Sequence, residues 1–235
     1  MHEYCLFCHQ PLTHKLSWRT LIFPQPGPLL CEDCRAQLEK ITPPVCPKCS
    51  RPLAKLDASY VEGALCLDCA RWEQDPEWAG VLDENISLYT YNDFCKEIFT
   101  RFKFRGDYAL AAIFADGIKE VLKSRTFDCI VPVPLSPERL SERLFNQAEA
   151  LARAAGLETA NILHRVHAEK QSKKTRADRI HQAQTFYMEK EVSIEGRSVL
   201  LVDDIYTTGS TVRHAAKVLR EAGARKIVSL TVARS

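Results

Sequence analysis

Eight of the ten cysteines fall in four Cys-x-x-Cys pairs near the N-terminus: Cys5/Cys8, Cys31/Cys34, Cys46/Cys49 and Cys66/Cys69. A pair at this spacing offers two thiolates to one tetrahedral zinc ion, and a second pair completes the site. Four pairs therefore make two zinc sites. With four thiolates each, neither site has an open position for substrate, so both are structural rather than catalytic. Metal binding also supplies folding energy that so small a segment cannot draw from a core. The simplest grouping is sequential: Cys5, Cys8, Cys31 and Cys34 on one ion, Cys46, Cys49, Cys66 and Cys69 on the other. A cross-braced grouping of first with third pair uses the same residues and stays open. Redox Cys-x-x-Cys motifs usually occur once, near a βαβ unit. Disulfide frameworks need an oxidising compartment. Neither fits four evenly used pairs. His2, His9 and His14 read as surface histidines, and Cys95 and Cys129 as core thiols.

A second chemical stretch runs Val199-Leu200-Leu201-Val202-Asp203-Asp204-Ile205-Tyr206-Thr207-Thr208-Gly209-Ser210-Thr211. An apolar strand ends in two adjacent acids, and a hydroxyl-rich turn opens a helix. Ligands of open α/β sheets bind at the carboxyl ends of strands. A helix N-terminus presents unpaired N–H groups that suit a phosphate. Gly209 lets the backbone approach, and Thr207, Thr208, Ser210 and Thr211 add hydroxyls. Two neighbouring carboxylates suit the two hydroxyl donors of a ribose diol. The alternative is a turn followed by an ordinary cap, but capping needs one such residue. The stretch is built for a sugar phosphate.

These groups need elements to hold them. Residues 1–72 are rich in cysteine and proline and form the metal module. Residues 73–85 read as a connector with aromatic anchors, among them Trp78 beside Trp72. From residue 86 to 235 strand and helix signals alternate, which predicts an α/β domain with a parallel sheet. Strands are expected at Ser87–Tyr91, Phe127–Val133, Ser198–Val202 and Arg225–Val232. Helical spacing covers Asp93–Phe104, Tyr108–Leu122, a long stretch from Pro137 to Ala155, and Gly209–Glu221. Residues 165–183 are polar and basic, and read as a loop.

The sugar-phosphate stretch resembles the binding motif for phosphoribosyl pyrophosphate (PRPP) of type I phosphoribosyltransferases. Further stretches extend the likeness: Phe102-Lys103-Phe104-Arg105-Gly106-Asp107, Val131-Pro132-Val133-Pro134-Leu135-Ser136, Glu142-Arg143-Leu144-Phe145-Asn146-Gln147-Ala148 and Gln171-Ser172-Lys173-Lys174. With the cysteine module they resemble the ComF family over nearly the whole chain. One departure is Leu144, where the family usually has Gly. The resemblance implies a type I phosphoribosyltransferase domain behind a double zinc ribbon, with Mg²⁺ accompanying PRPP. By it, Asp203 and Asp204 hold the ribose hydroxyls and Thr207, Thr208, Gly209, Ser210 and Thr211 cradle the 5′-phosphate. Val133, Pro134 and Leu135 form the pyrophosphate loop, with Arg143 and Arg139 one turn apart on the next helix. The basic segment 170–179 stands where the family's lid closes, so Lys173, Lys174 and Arg176 are the catalytic candidates. Thr207 stands where 6-oxopurine enzymes carry a carboxylate, which argues against purine salvage. The family also implies a competence role, with single-stranded DNA, the competence helicase and other transformation proteins as partners.

Charge alone does not choose a partner, since the formal net charge is +2. Locally, Arg101, Phe102, Lys103 and Arg105 interleave cations with an aromatic, as single-strand binders do; a helix end with its phenylalanines buried would look the same, and would still let Lys103 and Arg105 reach the rim of the sugar-phosphate site. No apolar run approaches the ~18 residues of a membrane span. The N-terminus lacks the pattern of a secretory leader, so a cytoplasmic protein is expected.

Overall fold

The computed structural model describes residues 3–12, 27–165, 186–189 and 191–235. Its centre is a four-stranded sheet of β3 (Glu84–Thr90), β4 (Cys129–Pro132), β7 (Ser198–Tyr206) and β8 (Lys226–Arg234). The order is β3-β8-β7-β4, and every pairing is parallel. Two small antiparallel pairs lie outside it: β1 (Val61–Glu62) with β2 (Leu65–Cys66), and β5 (Leu163–Arg165) with β6 (Phe186–Met188).

Side-chain alternation splits the core into two. Leu200 and Val202 of β7 join Val228, Leu230 and Val232 of β8 on one face. There they meet α3 (Asp93–Phe104), α4 (Ala115–Leu122) and α6 (Gln147–Ala154). Phe99, Phe102 and Phe114 are each no more than 1 % exposed, and Phe99 stacks on Phe114 at 5.8 Å. Each such ring contributes ~1.5–3 kcal/mol by its burial. Val199, Leu201 and Ile227 point the other way, onto α7 (Ser210–Glu221) and the β5–β6 pair. The cysteine module contributes to both faces. Cys5, Phe7, Leu12, Leu30 and Cys34, the last on α1 (Glu32–Ala36), join the α3 side. Cys46, Cys49, Cys66 and Cys69 join the α7 side.

The module is also stitched to the sheet by hydrogen bonds. Residue 40 bridges Tyr89, Ile41 N–H donates to Leu88, and Thr90 N–H donates to Glu39. Asn85 N–H donates to Lys48, and Ser50 Oγ donates to the Asn85 carbonyl at 2.7 Å. α2 (Leu67–Gln74) starts at a cysteine ligand and runs past residue 72, and β3 starts at Glu84.

Two expectations need correction. The stretch from Pro137 to Ala155 is not one helix. It breaks into α5 (Pro137–Arg143) and α6, because Leu144 takes a left-handed φ of +68° and ends α5. Asn146 then caps α6 by accepting from Ala148 N–H at 3.0 Å. Tyr108–Leu122 also divides: Tyr108–Phe114 is 3-10 helix and only Ala115–Leu122 is α-helix. The basic segment is outside the described residues, and with it Lys170, Lys173, Lys174, Arg176 and Arg179.

Candidate functional site: a cationic cleft at the sheet's carboxyl edge

β7 lies inside the sheet, and its partner β4 stops at Pro132 opposite Val202. Beyond that register the β4 side of β7 is open, and Asp203 and Asp204 occupy the opening. The chain leaving β4 stays near, since Val133 N–H donates to the Val202 carbonyl at 2.8 Å. Asn146 Nδ2 donates to the Val133 carbonyl at 3.1 Å and holds the Val133-Pro134-Leu135 loop from behind. Ser136 caps α5 by accepting from Arg139 N–H, and Pro137 fits the first turn. α5 thereby presents Arg139 and Arg143 toward the acids.

Val133, Pro134, Leu135, Arg139, Arg143, Asp203, Asp204, Thr207, Ser210 and Thr211 all line one cleft of about 560 Å³. Lys103, Arg165 and His214 line it too. Four cations thus face two carboxylates, which suits an anionic ligand, and the volume lies in the range of small-molecule sites. Thr208 and Gly209 build the turn rather than the wall. Gly209 sits at the N-cap of α7 with φ +80° and no side chain capping the helix. Ser210 N–H donates to Thr208 Oγ1 at 3.4 Å, and the N–H groups that follow it in the first turn of this twelve-residue helix are available to an anion. Space forbids any side chain at Gly209: a Cβ there would overlap Tyr206 Oη and Cζ.

The two acids differ. Lys103 Nζ pairs with Asp204 Oδ2 at 2.6 Å, and both side chains are mostly buried. Asp203 accepts from the Asp204 N–H at 2.8 Å. Burial, and then the neighbouring Asp204 carboxylate, push Asp203 up to about 7, against the opposing pull of Lys103 and Arg165. Burial, then Lys217, pushes His214 down. Buried Cys95, pushed up to about 12 mainly by burial, is an inert thiol.

The cation–aromatic stretch is used differently from the nucleic-acid expectation. Phe102 is fully buried against Phe99 and Phe145, so its ring offers no face to a base. Arg101 lies 4.0 Å over the Phe7 ring, donates to the Phe7 carbonyl and pairs with Glu97. Lys103 belongs to the cleft. Arg105 is exposed at the end of α3. Arg165 and His214 were not expected at the sugar-phosphate site; Lys103 reaches it as the reading with buried phenylalanines allows. The stretch carrying Lys103 was legible; its direction depends on how α3 packs.

In each cysteine group the four sulfurs lie within 4.8 Å of one another, and the grouping is sequential. Backbone N–H groups aim at the sulfurs: Cys34 at Cys31 Sγ (3.5 Å) and Cys66 at Cys46 Sγ (3.4 Å). Donors placed this way favour thiolates, so both groups fit zinc as structural ligands. The second is the drier, with all four cysteines buried.

A double zinc ribbon domain model matches residues 2–70, and a phosphoribosyl transferase domain model matches residues 110–235. The chain is 39 % identical to Competence protein ComFC of Bacillus subtilis over 236 residues, covering 98 % of this chain and 95 % of that one. The chain belongs to the ComF family. This ComF-family chain is also 34 % identical to Competence protein ComFC of Streptococcus pneumoniae, over 98 % of its length and 99 % of the relative's. Competence protein F of Haemophilus influenzae is 28 % identical over 88 % of this chain and 90 % of its own. The phosphoribosyltransferase domain and the two zinc sites of the family are therefore present here, joined as one structure.

Proposed function

We propose that this chain binds Mg²⁺–PRPP in the cleft and acts in competence, assisting the passage of single-stranded transforming DNA into the cytoplasm. The observation that carries the reading is the convergence of two facing elements on one cationic cleft. Asp203 and Asp204 stand at the end of β7 with α7's uncapped N-terminus beside them, opposite the Val133–Leu135 loop and Arg143. In this reading the two acids accept the ribose hydroxyls and Thr207–Thr211 cradle the 5′-phosphate. The Val133–Leu135 loop and Arg143 receive the pyrophosphate, whose magnesium completes the charge balance. Lys173, Lys174 and Arg176 then serve as the cations that close over the leaving group. Competence enters from the relatives' names, and with it the DNA, the competence helicase and the other transformation proteins as partners. Arg105 remains the nucleic-acid candidate of its stretch with a free surface position. Among the described residues no helix is long and apolar enough to cross a membrane.

A second reading, turnover with a nitrogenous acceptor, is favoured by Tyr91, a partly exposed ring in the wall of the same cleft. Calorimetric titration of Mg²⁺–PRPP into the zinc-replete chain tests the common ground. Saturable binding that Asp203→Asn/Asp204→Asn abolishes supports it. Absence of binding to a folded wild type refutes both readings.

A further inference from the structure

The second cysteine group lies directly behind the phosphate turn, and two side chains join them. Arg234, 2 % exposed, donates Nη2 to Cys49 Sγ at 3.6 Å. Its Nη1 donates to the carbonyls of Thr207 at 2.8 Å and Tyr206 at 3.3 Å, and its guanidinium lies 4.9 Å over the Tyr206 ring. One planar group thus grips a zinc ligand on one side and the phosphate turn on the other. Trp72 makes the second link: its indole N–H donates to the Thr208 carbonyl at 3.0 Å. Trp72 stands on α2, whose cap Cys66 and first-turn Cys69 are both ligands of this group. The same helix anchors α7. Arg213, fully buried one turn into α7, stacks at 5.1 Å on Trp72 and pairs with Glu73 at 3.3 Å.

The chemistry of these contacts points one way. A buried guanidinium is costly unless charged and polar partners surround it, and two lie here. Four thiolates on one Zn²⁺ carry net negative charge and accept N–H donors. The metal fixes Cys49 and the start of α2, and those fix the carbonyls of Tyr206, Thr207 and Thr208. Carbonyls held from behind turn the N–H groups of the same turn toward the cleft. The first group has no such link among the described residues, as it packs on the opposite core with Phe7 against Phe94.

We propose that the Cys46/Cys49/Cys66/Cys69 zinc site sets the phosphate turn for binding, with Arg234 and Trp72 as positioning residues, and that the Cys5/Cys8/Cys31/Cys34 site does not. The coupling rests on the PRPP reading for its ligand but not for its geometry, so two readouts separate them. The first is the order of the backbone amides at 207–211, read by NMR relaxation in the ligand-free, zinc-loaded chain. Arg234→Met and Trp72→Phe should lower the order parameters there with zinc content unchanged; Arg234→Lys should restore part of the order. Unchanged order parameters in both variants overturn the coupling whatever binds in the cleft. The second is linkage: a ligand that needs the set turn must hold the metal tighter by the same factor. Saturating Mg²⁺–PRPP should raise the zinc affinity of the Cys46/Cys49/Cys66/Cys69 site only, by about tenfold in equilibrium competition with a chelator, and Arg234→Met should erase the gain. The same gain at both sites, or none at either, overturns the coupling. A wild type with an ordered turn that takes up no Mg²⁺–PRPP overturns the PRPP reading and leaves the coupling standing on the order parameters.

Discussion

Gly209→Ala is predicted to be among the most damaging small substitutions in the chain, and the cause can be isolated with Tyr206→Phe. At φ +80° any residue with a Cβ is strained, by ~1–2 kcal/mol. The added methyl also overlaps Tyr206 Oη and Cζ and stands 3.0 Å from Cε1. Tyr206 cannot swing away easily, since it is 1 % exposed and covered by Arg234. Overpacking of this kind costs ~1–3 kcal/mol. The sum, about 2–5 kcal/mol, is a large share of the ~5–15 kcal/mol that holds a domain together. Tyr206→Phe alone has the opposite sign. Among the described residues Tyr206 Oη is buried with no hydrogen-bond partner, so removing it should be neutral or stabilising by ~1 kcal/mol. The double variant removes the Oη overlap and leaves the Cζ overlap and the strained φ, so it should recover ~1 kcal/mol relative to the sum of the singles. Urea unfolding of the four zinc-replete proteins measures the cycle. Additivity within ~0.5 kcal/mol, or a harmless Gly209→Ala, would refute the packing described for this turn.

Four further outcomes follow from the structure. Asp203, raised to about 7 by burial and by Asp204, should lose its acceptor form as pH falls through neutrality. Mg²⁺–PRPP affinity should then weaken from about pH 8 to pH 6, at most tenfold per unit, and Asp203→Asn should flatten the slope. The ligand-free protein should move oppositely: a carboxyl whose folded value is raised adds stability as pH falls from about 7 toward the ordinary carboxylate value of ~4, read by thermal unfolding. Lys103→Met removes the cation at 2.6 Å from Asp204, so the midpoint of the binding profile should move above 7; an unmoved midpoint would deny Lys103 its place in the site. Leu144→Gly should stabilise by ~0.5–1 kcal/mol, since φ is +68° and the side chain is 80 % exposed and packs little; a loss of stability would mean the leucine does pack.

The chemistry-bearing residues were legible because spacing encodes them. Cys-x-x-Cys names its metal geometry, and Asp203–Thr211 carries its strand, turn and helix start in order. What could not be read was set by packing at long range. The Pro137–Ala155 helix looked continuous because its apolar spacing does not register a left-handed residue at Leu144. Phe102 is compatible in sequence with a stacking ring or with core, and only the fold of α3 onto Phe99 and Phe145 decides it. Lys103 likewise acquires its partner from a residue about a hundred positions away. The connector carried aromatic anchors in its sequence, but nothing local says that Trp72 bonds Thr208, 136 residues on.

The position of β8 in the sheet has a consequence for how the molecule assembles. β8 follows every other strand in sequence, yet it stands between β3 and β7 and pairs with both. Each ribbon can gather its own metal from neighbouring cysteines early, as a local event. The Cys49–Arg234 contact spans 185 residues, and closure over such separations is slow. Until β8 arrives, β3 and β7 have no common neighbour, and the loaded second ribbon has no guanidinium to join it to the turn. A single late step therefore completes the sheet and readies the cleft together, so a half-made chain would hold zinc well before it could hold a sugar phosphate.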